Sequence, residues 1–158
     1  TQRAEGMVKT YVKWEKETKN ELVGLEVPFD VKIGEITFTG RIDRLEKNPD
    51  GKYEVVDFKS GKTVKSKNKA KIDPQLNIYA KAVEKLKGEL PVKASLFYVE
   101  KDKMVEYPVT EESVKETVDT LIDMTKEILL ENFDATPSYN ACMFCSYQSI
   151  CDAKVTEE

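Results

Sequence analysis

Three consecutive segments alternate apolar and polar residues with a period of two, and short turn signals separate them. In "LEVPFDVKI" the residues Leu25, Val27, Phe29, Val31 and Ile33 fall on one side of an extended chain. Gly34 follows as a turn, and "EITFTGRIDRLEKN" alternates again through Ile36, Phe38, Gly40, Ile42 and Arg44. "NPDG" is a turn signal ahead of a third such segment, "KYEVVDFK". Extended segments this close in sequence pair with their neighbours through tight turns, which predicts an antiparallel three-strand meander.

Helical periodicity flanks the meander. Met7, Val8, Tyr11, Val12 and Trp14 predict an amphipathic helix over residues 3–23. In "DPQLNIYAKAVEKLKG", Asp73 is a candidate N-cap and Pro74 suits the first helical turn; Leu76, Tyr79, Ala80, Val83 and Leu86 form the apolar stripe, and Gly88 ends it. "VKASLFYVE" and "KMVEYPV" predict two further strands. "TEESVKETVDTLIDMTKEILLENF" opens with a capping box, with Thr110 and Ser113 as candidate caps, and continues as a long helix. The order α-βββ-α-ββ-α describes an α/β (α+β) domain whose mixed sheet is flanked by helices. The expected division is a core over residues 1–135 and a cysteine-bearing tail, 136–158, packed on the same domain.

The chain has 158 residues, enough for one core. No apolar run approaches the ~20 residues of a membrane span, and the N-terminus has no secretory apolar region. A cytoplasmic, nucleoid-associated protein without a membrane partner is expected. Because the chain starts at Thr1, it is expected to be a piece of something longer. The absence of histidine excludes Ser-His-Asp and Cys-His catalysis and His-ligated zinc, and leaves carboxylates, lysine, tyrosine and thiolates for chemistry. The formal net charge of −4 gives no overall basic field, but Lys59 to Lys71 holds six lysines and no acid. Lys62, Lys65, Lys67 and Lys69 are either a solvated loop or a flap contacting nucleic-acid phosphates.

Asp43 lies near the end of the second strand and Asp57 near the end of the third, and both interrupt apolar alternation. Like charges facing each other across a ladder are destabilising unless something neutralises them. Two carboxylates with a backbone carbonyl and waters suit Mg²⁺ or Mn²⁺. Lys59, two residues beyond Asp57, shares its face and could polarise an attacking water or stabilise developing charge. The bland alternative is a pair of exposed ion pairs, Asp43 with Arg41 or Arg44 and Asp57 with Lys59.

Taken together, "GRIDR", "DFKSGK" and "QLNIYA" resemble the PD-(D/E)XK nucleases of the RecB type, found at the ends of helicase-nucleases and in a CRISPR-associated exonuclease. The resemblance runs from about Glu26 to Cys151 and implies a restriction-endonuclease-like core. It implies Asp43 as the metal ligand of G-x-x-D-R, Asp57 as the carboxylate bridging metal and scissile phosphate, and the Phe58 carbonyl as a further ligand. Lys59 would orient or activate water. Gln75 and Tyr79 match Q-x-x-x-Y: Gln75 would face the site, and Tyr79 either contacts substrate or braces the core. Glu26 either reaches the metal or is a surface carboxylate. The implied function is a Mg²⁺- or Mn²⁺-dependent deoxyribonuclease, in exonuclease mode, within a DNA repair or recombination helicase-nuclease. The implied partners are DNA and a helicase domain in the same or a second chain. A non-catalytic DNA-binding or scaffolding module with the same fold is the alternative, and a zinc- or cluster-stabilised interaction domain a third reading.

The tail "CMFCSYQSIC" sets Cys142, Cys145 and Cys151 at a spacing that can wrap a metal. The resemblance implies a [4Fe–4S] cluster in the intact protein, with zinc the lesser candidate. The family's fourth cysteine and an early-helix histidine ligand lie upstream; neither occurs here, which fits the expectation of a missing N-terminal part and a weak or inactive fragment.

Overall fold

The computed structural model describes residues 2–61, 63–64 and 73–156. Lys62, Lys65, Lys67 and Lys69 lie outside the described residues. The elements are α1 (Gln2–Glu17), β1 (Glu21–Ile33), β2 (Ile36–Lys47), β3 (Tyr53–Lys59), α2 (Pro74–Lys87), β4 (Lys93–Tyr98), β5 (Lys103–Pro108), α3 (Glu111–Leu129) and α4 (Tyr139–Met143). The chain divides into two compact units, Thr1–Asp123 and Met124–Glu158.

One five-stranded sheet, in the order β1-β2-β3-β4-β5, carries the first unit. The meander β1-β2-β3 is antiparallel, β3 and β4 run parallel, and β4 and β5 are antiparallel. This is the mixed sheet with flanking helices that the sequence predicts. The turn before β3 is built as its residues dictate: the Asn48 side chain accepts from the Asp50 and Lys52 amides, and Gly51 takes φ 76°. The parallel pair needs a crossover, and α2 supplies it. Asp73 caps α2 by accepting from the Gln75 amide, and Gly88 ends it in the left-handed region. At α3, Thr110 and Ser113 cap each other reciprocally: the Ser113 amide donates to Thr110 Oγ1, and the Thr110 amide to Ser113 Oγ.

The core lies between the sheet and α2. Leu76, Tyr79, Ala82 and Val83 of α2 meet Phe29, Val31, Ile42, Leu45, Val55 and Leu96. Each large side chain buried there is worth roughly 1.5–3 kcal/mol. Leu86, expected on this stripe, is 44% exposed. The Asn77 side chain ties α2 to α3 by donating to Thr117 Oγ1 at 2.8 Å.

Helix α1 stops at Glu17, six residues short of the expected end. Thr18 and Asn20 turn the chain with local bonds: the Asn20 amide donates to Thr18 Oγ1, and Asn20 Nδ2 donates to the Glu46 and Glu54 carboxylates. Residues 21–23 therefore belong to β1. Tyr11 and Trp14 of α1 pack against Phe58, and Trp14 also against Phe97. Between them and β2 lies Arg44, 1% exposed, paired with Glu46 at 2.7 Å and Glu15 at 2.8 Å, its guanidinium 4.8 Å from the Trp14 ring centre.

Candidate active site

Pairing of β2 with β3 places the two aspartates. The ladder runs Leu45↔Val55 and Arg44↔Val56, so the next step brings Asp43 to the height of Asp57. There a side chain replaces the backbone rung: the Phe58 amide donates to Asp43 Oδ2 at 2.9 Å. Beyond that point β3 relies on its other neighbour, with Asp57↔Leu96, Phe58↔Phe97 and Lys59↔Tyr98 in register with β4. Asp57 is thereby enclosed, its side chain 2% exposed.

The pleat breaks at this level. Strict alternation would put Ile42 and Arg44 on one face, yet Ile42 joins the core beside α2 while Arg44 contacts Trp14 of α1. Asp43 sits at the break. Across from it in β1, bracketed by Leu25↔Arg44 and Val27↔Ile42, is Glu26, with φ 49°. A left-handed backbone at a residue that is not glycine costs of order 1–3 kcal/mol, and such residues cluster at functional sites. The same break explains why Leu25, expected on the buried face, is 51% exposed.

A chain of polar contacts leads away from Asp57. Lys59 Nζ lies 2.7 Å from Asp57 Oδ2 and donates to Gln75 Oε1 at 2.9 Å. Gln75 Nε2 donates to the Tyr79 hydroxyl at 2.9 Å. Gln75 and Tyr79, four apart on α2, share one helical face. Tyr79 braces the core: its ring is buried in edge contact with Phe29, while its hydroxyl accepts from Gln75 Nε2. Burial, then the negative charge of Asp57, with Asp43 and Glu26 adding to it, pushes its pKa up to about 12 against the opposing Gln75 bond. Glu26 thus acts on the same space as the aspartates.

Asp57 carries unrelieved charge. Burial pushes its pKa above the ordinary carboxylate value; Asp43 and Asp73 push it further, and Lys59 opposes them. Asp57 Oδ2 is buried, and among the described residues the Lys59 ammonium at 2.7 Å is what faces it. Of the bland alternative, Arg44 is taken by Glu15 and Glu46 rather than Asp43, while the Asp57–Lys59 pair forms with Asp57 buried instead of exposed. Asp73, read from the sequence only as a helix cap, adds negative charge at Asp57. Its position two residues before Gln75 is the one sequence signal that points to this.

The oxygen donors of Asp43 and Asp57 fit a hard divalent cation, and the buried Asp57 Oδ2, beside the Lys59 ammonium at 2.7 Å, is an atom such an ion would reach. Among the described residues, no group of three or more His, Cys, Asp or Glu could hold a metal ion. That applies to the tail as well. Cys142 is buried with its Sγ accepting the Val155 amide at 3.4 Å, Cys145 is exposed and Cys151 half-buried. The three thiols as placed do not form a closed site. Among the described residues no helix is long and apolar enough to cross a membrane.

Known proteins resemble this chain in fold or in sequence. A crystal structure of SSO0001 superposes with a TM-score of 0.54 at 22% identity, covering 95% of this chain and 68% of that one, a likeness of fold. The CRISPR-associated exonuclease Cas4 of Saccharolobus solfataricus is 30% identical over 118 residues, 74% of this chain and 53% of that protein. The chain thus spans about half the length of this curated relative. Residues 1–152 match the PD-(D/E)XK nuclease superfamily. Five strands in a sheet of mixed direction, two aspartates meeting at the end of the β2–β3 ladder, a lysine beside the second and a match over nearly the full length have one consequence: the chain belongs to the PD-(D/E)XK nuclease superfamily.

Proposed function

We propose that this chain is a Mg²⁺- or Mn²⁺-dependent deoxyribonuclease domain acting in exonuclease mode. The observation that carries the reading is the meeting of Asp43 and Asp57, with the buried Asp57 Oδ2 2.7 Å from the Lys59 ammonium. Asp43, Asp57 and the Phe58 carbonyl would hold the cation. When bound, the cation supplies positive charge to the scissile phosphate and makes a nearby water more acidic. The reaction adds water across a phosphodiester: a P–O bond forms to the water oxygen, the bond to the leaving oxygen breaks, and a phosphate monoester and an alcohol result.

The protein groups have separable tasks. Asp43 keeps the end of β2 joined to β3 through the Phe58 amide, which fixes the spacing of the two carboxylates. Lys59, its side chain 30% exposed, presents its ammonium to solvent between Asp57 and Gln75, where it can donate to a phosphate oxygen or an attacking water. Gln75 accepts from the ammonium and fixes its position beside Asp57, and Tyr79 holds Gln75. The exonuclease mode is supported by likeness to Cas4, itself an exonuclease. The larger setting, a repair helicase-nuclease with a helicase partner and a [4Fe–4S] cluster on Cys142, Cys145 and Cys151, rests on the resemblance of motifs alone. The test is cleavage of end-labelled single- and double-stranded DNA with Mg²⁺, Mn²⁺ or neither, by the wild-type chain and by Asp57→Asn. Metal-dependent shortening that disappears in Asp57→Asn is the expected result. DNA binding without cleavage under any metal would make this a binding module.

A further inference from the structure

A cavity of about 320 Å³ opens beside the site, between the β1–β2 hairpin and the start of α2. Phe29, Phe38 and Ile78 give it apolar walls, Gln75 and Tyr79 form the side toward Asp57, and Arg41 stands at its rim. Its continuity with the site is direct, because Gln75 bonds Lys59 on one side and lines the cavity on the other. Gly40 keeps the wall in place: a Cβ there would come within 2.9 Å of Phe29 Cζ. Arg41 is exposed, and among the described residues it makes no salt bridge. It is a cation that no described carboxylate holds, two residues from Asp43 in the same strand.

We infer that this cavity takes one unpaired base of a single-stranded DNA end, stacked against Phe38, with Arg41 on the adjoining phosphate. The inference rests on the nuclease reading and adds a seat for one base beside the acids. Size commits it to one base: the volume is at the lower end of the ~300–1,000 Å³ of ligand cavities. An aromatic floor suits a base face irrespective of sequence, and a base paired in a duplex cannot present that face. A strand end entering here would lay its next phosphate toward Lys59 and the two aspartates, so the cavity sets how far the scissile bond lies from the seated base. Duplex ends would enter only after fraying.

Binding separates this from the catalytic reading. Single-stranded oligonucleotides carrying an abasic residue, moved one position at a time from either end, are titrated with the full chain without divalent cation and followed by fluorescence anisotropy. One or two neighbouring abasic positions are expected to weaken binding roughly tenfold, the effect of losing one base–aromatic stack. Phe38→Leu keeps apolar volume but removes the ring, and is expected to erase that dependence on position. Arg41→Gln is expected to weaken intact and abasic strands alike and to reduce the salt slope. Equal affinity for every abasic position overturns the inference. If cleavage is nevertheless seen in wild type and abolished in Asp57→Asn, the nuclease reading survives without the base pocket. Position-dependent binding by a chain that never cleaves keeps the pocket and removes the nuclease.

Discussion

Replacing Arg44 with methionine should cost the fold ~3–5 kcal/mol, the range for removing one partner of a buried ion pair. The terms can be sorted by exposure. Glu46 is 3% exposed and would keep only its bond from Asn20 Nδ2 at 2.7 Å, so its charge would stay enclosed with half its compensation gone. Glu15 is 38% exposed and can turn to water, which limits its share to about 1 kcal/mol or less. Stacking on Trp14 adds ~0.5–2 kcal/mol. These do not sum freely, and the buried Glu46 sets the scale. At ~2–4 °C per kcal/mol for a chain of this size, the midpoint should fall by about 6–20 °C. Trp14 is the sole tryptophan and touches the perturbed group, so its fluorescence reports locally, while circular dichroism reports the whole chain. The pairing in the wild-type protein is itself incomplete, since Arg44 Nη2 is buried without a hydrogen bond. Removing both charges in Arg44→Met/Glu46→Met should therefore recover most of the loss. A single Arg44→Met variant melting within about 2 °C of wild type by both probes would refute this account of the α1 side of the sheet.

At Asp57 the expected change has the opposite sign. Its folded pKa is raised above the unfolded one by burial, so its contribution to stability is present in acid and is lost as pH rises through the folded value. Asp57→Asn should therefore melt higher than wild type at neutral pH, with the difference closing below the ordinary carboxylate range; a gap that persists in acid would count against an ionised, buried Asp57. Glu26→Val should lose ~1–2 kcal/mol in urea denaturation while Glu26→Gly is tolerated, because β-branched residues resist φ near 49°; equal stability of the two would remove the backbone strain. Neutralising Lys65, Lys67 and Lys69 together should make the slope of log K against log salt shallower by about 0.9 for each duplex-DNA phosphate that these lysines no longer neutralise, and an unchanged slope would make the segment a solvated loop. The intact protein should contain iron and sulfide that disappear in Cys151→Ser, whereas the three thiolates of this chain alone should not hold a full cluster; zinc in the intact protein would reassign the tail.

The meander is legible because its cues are local. Alternation through Phe29, Val31 and Ile33, and the Asn48–Gly51 turn, each act over a few residues. The site is legible for the same reason: Asp57 and Lys59 are two apart in one strand, and Gln75 and Tyr79 four apart in one helix. What the sequence hides depends on distant partners. Arg44 in "GRIDR" reads as a surface residue until α1 folds over it and brings Glu15 and Trp14. The end of α1 is overextended in a sequence reading because Leu22 and Val23 extend the apolar content, while the bonds from Asn20 that stop the helix reach to Glu46 and Glu54. Glu26 reads as an outward carboxylate, and only its pairing against the level of Asp43 exposes the break in the pleat. The cavity lined by Phe38 and Arg41 has no sequence signal, since its far wall is a helix that begins at Pro74.

The parallel pairing of β3 with β4 sets an order of assembly in time. β2 and β3 are joined by a tight turn, so Asp43 and Asp57 can meet through contacts that close quickly. β3 ends at Lys59 and β4 begins at Lys93, and the interval must fold into α2 before the parallel rungs can form. Leu96 pairs with Asp57 only at that later stage, and only then does Gln75 reach Lys59. On a ribosome the two acids would emerge well ahead of the groups that enclose and orient them. A growing chain would then carry its acids before Gln75 and β4 surround them, and pulse-labelled hydrogen exchange should find β2–β3 amides protected ahead of those between β3 and β4.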